Sequence, residues 1–303
     1  MRRWMHKPWA FGLTYAVLLT SAFVMALLDT FVIVRRDRIV EVAKTTVEAV
    51  SELLISQTQE PTITDHSYDD GQIAVAIATL EYESTVCYVA DVVIASPEWL
   101  RTALADNTFG RNVKQTTSAM AEANGAILAI NGDYYGARRR GWVVRNGVIL
   151  RDTAASDETD LLLVDRDGSF SILSDRLLSQ ETASALWQAF SFGPALVADG
   201  QVLVDANDEV SQAMTSNPRT AIGQIDALHY LFVVTDGRTE ESEGLSLQSL
   251  AELMQSLGCT TAYNLDGGGS STMVFMGEVV NNPTTSGRRI TEREVSDIVY
   301  IGY

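Results

Sequence analysis

Three apolar segments of the 303-residue chain each run into an acidic, glycine-bearing turn: Asn131-Gly-Asp133, Thr235-Asp236-Gly237 and Asn264-Leu-Asp266-Gly-Gly-Gly-Ser-Ser271. A turn at a strand end is open while the strand behind it is rigid, so side chains there are well placed to meet a ligand. Asp-Gly and Asn-Gly also make ordinary turns, and it is the recurrence that carries weight. The third turn says most. Three consecutive glycines are entropically expensive, and they suit a backbone whose N–H groups approach an anion closely. Ser270 and Ser271 add hydroxyl groups. No lysine follows the glycines, so this is not the phosphate loop of nucleotide-binding proteins.

The arginines agree with an anionic ligand. Arg138, Arg139, Arg140, Arg145 and Arg151 crowd into residues 138–151, and Arg219 stands between Pro218 and Thr220. A guanidinium fork grips a phosphate or carboxylate through two bonds at once. Histidine and cysteine offer much less. His6, His66, His229, Cys87 and Cys259 are the whole inventory and build no zinc site or thioredoxin pair. His229, in Ala-Leu-His-Tyr-Leu-Phe-Val-Val, is expected inside a buried strand, which argues against histidine-centred catalysis. Cys87 and Cys259 are expected as separate buried thiols. No cofactor is predicted; clustered carboxylates leave a divalent cation such as Ca²⁺ open, without EF-hand spacing.

The elements that must hold these turns can be read from patterning. Residues 72–80, 85–95, 126–130, 228–234, 260–265 and 272–276 are rich in Val, Ile and Ala and predict strands. Residues 97–104, with Ser96 as cap and Pro97 in the first turn, predict a short helix. Residues 116–123 predict a second, stopped by Asn124-Gly125. Residues 247–257 predict a third, with an apolar face of Leu247, Leu250, Ala251, Met254 and Leu257. Strict strand–helix alternation is absent. The fold class expected is α+β (mixed α/β), one globular domain with a mixed central sheet.

Residues 9–28 contain no charge, and at ~1.5 Å per residue such a helix crosses the ~30 Å hydrocarbon core. The run exceeds the ~7–15 apolar residues of a signal peptide and lacks an Ala-x-Ala site, so a single uncleaved membrane span is expected. Arg2, Arg3 and Lys7 precede it and Arg35, Arg36 and Arg38 follow it, so charge alone does not orient it. Val40, Ala43, Val47, Val50 and Leu54 then recur at alternating spacings of three and four. That seam fits either a stalk pairing with a second copy as a homodimer or a helix lying on its own body. Residues 57–71 are polar and aperiodic, a linker. The organisation expected is 1–34 cytoplasmic tip and transmembrane anchor, 35–71 juxtamembrane helical stalk and linker, 72–303 globular domain.

Charge sharpens the division. Residues 1–38 carry six basic and two acidic groups, a balance of +4, whereas the remaining 265 carry 16 basic and 37 acidic, a balance of −21. Such a body repels nucleic-acid phosphates, so nucleic acid is not an expected partner. With 46% of residues apolar, disorder is excluded as well.

In order along the chain, Asn131-Gly-Asp-Tyr-Tyr135, Arg145-Asn-Gly147, Phe192-Gly-Pro-Ala-Leu-Val197 with Asp199-Gly200, and Asn217-Pro-Arg-Thr-Ala-Ile-Gly223 are followed by Thr235-Asp-Gly-Arg238, Asn264 to Thr272 and Glu292-Arg293. Together these motifs resemble the phosphodiester glycosidase family, the family of the catalytic domain of N-acetylglucosamine-1-phosphodiester α-N-acetylglucosaminidase. Its bacterial members include membrane-anchored proteins linked to exopolysaccharide biosynthesis. The resemblance covers residues 72–303 and implies hydrolysis of the sugar C1–O bond of a glycosyl-1-phosphodiester, outside the cytoplasm. A phosphate monoester is a good leaving group, so arginines and N–H groups can stabilise its charge while a carboxylate supports the oxocarbenium-like centre. Read this way, Asp236 and Asp266 are the working carboxylates and Asp133 the third. Arg219 and the Gly267, Gly268, Gly269, Ser270 and Ser271 turn hold phosphate, Asn131, Tyr135 and Asn264 contact the sugar, and Thr235 and Arg145 complete the substrate-binding set. The sequence ends at Tyr303, without the further modules of the mammalian enzyme. The expected substrate is therefore a sugar-phosphate polymer of the cell surface rather than a mannose-linked GlcNAc. A non-catalytic glycan-binding or assembly protein and a sugar-phosphate transferase are the alternatives.

Overall fold

The structure, a computed structural model, describes residues 8–39, 60–155, 159–204 and 216–303. Its nine-stranded sheet places Thr220–Asp226 between His229–Thr235 and Thr261–Asn264, with Thr85–Ile94 and Ile73–Tyr82 continuing outward. A five-stranded sheet centres on Leu128–Asn131, flanked by Met273–Phe275 and Asp297–Ile301. A second five-stranded sheet includes Val143–Arg145, Leu186–Phe190 and Asp160–Asp165. Every pairing among the described strands is antiparallel, which places the domain on the α+β side of the expected classes.

Most central strands are buried on both faces, which is why they read as apolar runs rather than as alternation. Tyr230, Phe232 and Val234 enter the core shared by the three sheets, packing with Ile130, Leu162 and Val299. Their neighbours Leu231 and Val233 face Leu250, Ala251 and Met254 of the helix Leu247–Ser256. The helix Thr117–Ala123 covers the outer face of the Leu128–Asn131 sheet through Met120 and Ala121, against Ala129, Val274 and Ile298. Thr116 and Ser246 cap the two helices by accepting the N–H groups of Ala119 and Ser249.

Local expectation and structure part company in three places. Residues 97–104 are not a helix: Pro97–Trp99 makes a single 3₁₀ turn, and Leu100–Leu104 is a strand paired with Asp297–Ile301. Distant pairing overrides the local start signal. Part of the expected linker, residues 57–71, is sheet: Thr62–Thr64 and Ser67–Asp69 form a hairpin joined to Ile73–Tyr82, held where the buried Tyr68 hydroxyl donates to Asp70 at 2.8 Å. The sheet therefore begins before residue 72. His229 begins its strand instead of lying deep within it, with 29% of its side chain exposed and Nε2 2.9 Å from Asp91. Cys87 and Cys259 are buried free thiols in one apolar cluster.

A helix Pro8–Phe31 leads the chain, and its Leu13–Phe31 portion is long and apolar enough to cross a bilayer, as a signal sequence or an anchor. Residues 35–39, expected at the start of the helical stalk, are not helical. Arg35–Ile39 is a strand that pairs with Thr108–Arg111 of the body, and the Val40–Leu54 seam lies outside the described residues. This pairing requires Gly110, since a Cβ there would sit 1.9 Å from the Arg35 carbonyl oxygen. Gly110→Ala should release the strand and speed trypsin cleavage at Arg35, Arg36 and Arg38 by about tenfold or more, because local opening controls such cutting. Unchanged cleavage would show that the pairing does not hold these residues.

Candidate active site

Antiparallel order explains why motifs far apart in sequence meet. Thr220–Asp226 runs opposite to both neighbours, so its first residue lies beside the ends of both: Thr220 faces Val234, and Ala221 faces Asn264. The same logic in the adjoining sheet sets Ile298 beside Asn131 and Met273 beside Ile130. The two ends are stitched together at the Asn131 side chain. Its Oδ1 accepts from the Thr220 hydroxyl at 2.8 Å and the Thr272 N–H at 3.2 Å, while its Nδ2 donates to the Asp266 carbonyl at 2.6 Å. Asn131, Asp133, Thr235, Asp236, Asn264 and Asp266 thus gather at one edge of the molecule, around the glycine turn.

Asp266 is the most exposed of the three expected carboxylates. Its side chain is 11% exposed; Oδ2 accepts from the Ser270 hydroxyl at 2.6 Å and from Arg293 Nη2 at 3.2 Å. Arg293 also donates to Ser270 through Nε at 2.9 Å and Nη2 at 2.6 Å, and to the Gly267 carbonyl at 3.2 Å. Burial pushes the Asp266 carboxyl above its ordinary value, and Arg293 and Ser270 oppose that shift. Arg238 crosses the turn from the other side, donating to the Thr285 carbonyl at 2.6 Å and to Asn217 Oδ1 at 2.8 Å. Burial and the nearby charge of Arg293 both hold the Arg238 guanidinium below its usual value. Two like charges held close favour an anion between or above them.

The glycines serve packing as much as ligand approach. A Cβ on Gly269 would meet Thr285 Oγ1 at 2.2 Å, and one on Gly268 would press on Arg238 at 3.0 Å. The N–H groups of Gly268, Ser270 and Ser271 are spent on the carbonyls of Pro218, Gly267 and Gly268. An anion at this turn therefore meets arginines ahead of a backbone nest. Buried Asn264 Oδ1 and the hydroxyls of Ser271 and Thr272 have no hydrogen-bond partner among the described residues.

Other expected site residues, Asp236 among the carboxylates, are hydrogen-bonded to the protein around this turn. Asp236 is saturated: it accepts from the Asn282 N–H at 2.8 Å, Asn282 Nδ2 at 2.9 Å, the Tyr88 hydroxyl at 3.2 Å and Asn281 Nδ2 at 3.3 Å. Burial and Asp236 push the Tyr88 hydroxyl up to about 12, so it stays a donor. Asn281 in turn donates to the Ser271 carbonyl at 3.0 Å. Thr235 Oγ1 accepts the Arg219 N–H at 2.9 Å, and Arg219 Nε donates to the Leu245 carbonyl at 2.8 Å. Asn264 Nδ2 donates to the Gly193 carbonyl at 2.8 Å. Tyr135 is fully buried, with its ring stacked 5.3 Å from Phe109, away from any surface a sugar could reach.

Arg145, expected among the substrate-binding residues, is enclosed between Asp133 and Asp297. Its Nη2 lies 2.9 Å from an oxygen of each, and its guanidinium covers the Phe190 ring at 4.4 Å. Asp133 also accepts the N–H groups of Tyr135 at 3.1 Å and Ser191 at 2.9 Å. Two buried carboxylates around one guanidinium carry a net negative charge if both ionise. Burial accordingly pushes the Asp297 carboxyl well above its ordinary value, and Asp133 adds to that rise while Arg145 opposes it. Sequence pattern had not singled out Asp297, and Arg238 stood in a motif without a role. Arg293 stood within a motif, but nothing local showed that it would reach Asp266 and Ser270.

Residues 124–302 match the phosphodiester glycosidase family, and the chain belongs to that family. An SPbeta prophage-derived uncharacterized protein, YomE of Bacillus subtilis (strain 168), is 29% identical over 203 residues, covering 64% of this chain and 31% of that protein. The mouse N-acetylglucosamine-1-phosphodiester α-N-acetylglucosaminidase is 38% identical over 66 residues, covering 22% of this chain and 13% of the enzyme. The matched segments thus span less than a third of either relative. The fold is shared with the zebrafish enzyme's catalytic domain, solved in a form auto-inhibited by its pro-peptide. That likeness has a TM-score of 0.61 and 18% identity, and it covers 81% of this chain and 88% of the other.

Removing the charge of Arg145 tests the buried cluster. Arg145→Met leaves two carboxylates without their cation and should cost about 3–5 kcal/mol in urea unfolding. The sign with pH follows from the raised Asp297: the folded state binds its proton more tightly than the unfolded chain, so the group's contribution is lost as pH rises above the ordinary carboxylate range. The variant should therefore lose more stability at about pH 8 than at about pH 5. A variant as stable as the parent at both values would exclude this role for Arg145.

Proposed function

We propose that the chain hydrolyses the C1–O bond of a glycosyl-1-phosphodiester, GlcNAc-1-phosphodiester-like in type, within cell-surface glycopolymers. The observation that carries this reading is the junction of Asp266, Ser270, Arg293 and Arg238 on the glycine turn: one reachable carboxylate beside two crowded guanidinium groups. A leaving alkoxide would require a proton donor, whereas a departing phosphate monoester requires positive charge. Arg293 and Arg238 supply that charge, with Arg219 behind the turn. Asp266 supports the cationic C1 as the phosphate monoester leaves with the electron pair of the C1–O bond, and water then adds its hydroxyl to C1 and gives its proton to Asp266. Asp236 and Asp133 act as positioning residues, the first through Asn281 and Ser271, the second through Arg145. The leading apolar helix acts as a membrane anchor, and the acidic body works outside the cytoplasm.

The full chain incubated with a GlcNAc-α-1-phosphodiester should release free sugar, and Asp266→Asn with its fold intact should abolish release. A new glycoside would indicate transfer, binding without product would indicate a glycan-binding protein, and near-normal turnover by the variant would remove Asp266 from the chemistry. A second outcome concerns pH. Arg293→Gln removes the cation that opposes the rise of Asp266, so the acid limb of the kcat/KM profile should move upward. An unmoved limb would mean that Asp266 does not set it.

A further inference from the structure

Part of the arginine run of residues 138–151 lines a cavity of its own. Arg138, Arg139 and Arg151 join Arg35, Arg111 and Asp37 around a separate cavity of about 350 Å³. Three of these arginines also hold one carboxylate of the leading helix. Arg35 and Arg139 each bond Asp29, and Arg111 reaches it at 3.3 Å while donating to its carbonyl at 2.6 Å. The helix ends two residues later, at Phe31. The cavity therefore opens within about one turn of the point where a bilayer-spanning helix leaves hydrocarbon, the depth of lipid phosphates.

Charge and hydrogen bonding are unbalanced there in one direction. Five arginines face Asp37 and the shared Asp29, an excess of three positive charges on a body that is otherwise strongly acidic. Burial pushes the Arg151 guanidinium down to about 10. Its Nη2, and Nε of Arg111, are buried with no hydrogen-bond partner among the described residues. Guanidinium groups held together without matching carboxylates suit phosphate oxygens. Phe31, Val32 and Val34 beside this junction are 61%, 62% and 52% exposed, and they line a neighbouring cavity with Val113. Exposed apolar side chains next to an arginine cluster suit a ligand with a phosphate at one end and acyl chains at the other.

We propose that this cavity binds the phosphate headgroup of an anionic membrane lipid and so seats the catalytic domain against the bilayer. The proposal rests on the anchor reading of the leading helix and not on the glycosidase reading. Arg138 links the two regions: it lines the cavity, donates to the Ser191 carbonyl at 2.6 Å, and its charge reaches Asp266. A headgroup bound here would therefore lie on the side of the domain that adjoins the glycine turn.

The test is native mass spectrometry of the full chain in mild detergent, titrated with phosphatidylglycerol or with phosphatidylcholine of the same acyl chains. Saturable retention of phosphatidylglycerol is expected, weakened about tenfold or more in R35Q/R139Q, where Arg111 keeps Asp29 paired. Should the double variant misfold, R139Q alone gives a smaller loss of the same sign, since that side chain is 67% exposed. Equal retention of the two lipids, or retention unchanged by either variant, would overturn the proposal. So would displacement of the lipid by an equal concentration of inorganic phosphate, which marks a soluble-anion site, or a mature mass lacking the helix. Sugar release measured on the same preparations keeps a failure of the hydrolase reading separate from a failure of this one.

Discussion

The buried guanidinium of Arg145 is the point on which the site depends. It lies on a strand of one five-stranded sheet and clasps Asp133 and Asp297 of the other. Asp133 holds the Ser191 N–H, and the adjoining Gly132 carbonyl accepts the Asp266 N–H at 3.3 Å. The placement of the one reachable carboxylate is thus referred back, through two or three bonds, to a charge cluster sealed from solvent. Such a cluster need not add net stability, because desolvation offsets much of the attraction. What it does add is geometry: a guanidinium that must satisfy two carboxylates and the Ala189 carbonyl at 2.5 Å tolerates few arrangements.

Around that clasp the arginines divide into groups with different work. Arg145 joins sheets. Arg219, Arg238 and Arg293 surround the glycine turn, where a phosphate would depart. Arg35, Arg111, Arg138, Arg139 and Arg151 gather at the foot of the leading helix. In a body with a balance of −21 these are local reversals of a prevailing negative field. On the proposed readings these reversals are the points at which a phosphate group would bind.

Much of this was legible in the chain before any folding was considered. The strands could be read because burial on both faces leaves Val, Ile and Ala in unbroken runs, as in His229–Thr235. Two helices could be read because Asn124-Gly125 stops the first and the apolar positions of the second recur at helical spacing. Residues 97–104 misled for the same reason: a helix-start signal is local, whereas the strand Leu100–Leu104 is imposed by a partner almost 200 residues away. The hairpin within residues 62–69 was hidden by its polarity, since its first strand is exposed and offers no apolar face to detect.

The sequence by itself determined which chemical groups exist and where turns interrupt the strands: acidic and glycine-bearing motifs at strand ends, clustered arginines, an apolar helix at one end, and an order of motifs that marks the family. Tertiary structure decided who partners whom. Arg145 could have reached phosphate, yet sheet pairing delivers it to Asp133 and Asp297. Arg293, beyond the glycine turn in sequence, is delivered to Asp266. Periodicity and turn chemistry act over a few residues, so they are written locally. A side-chain ion pair depends on register between strands that may be separated by most of the chain, and only folding supplies that register.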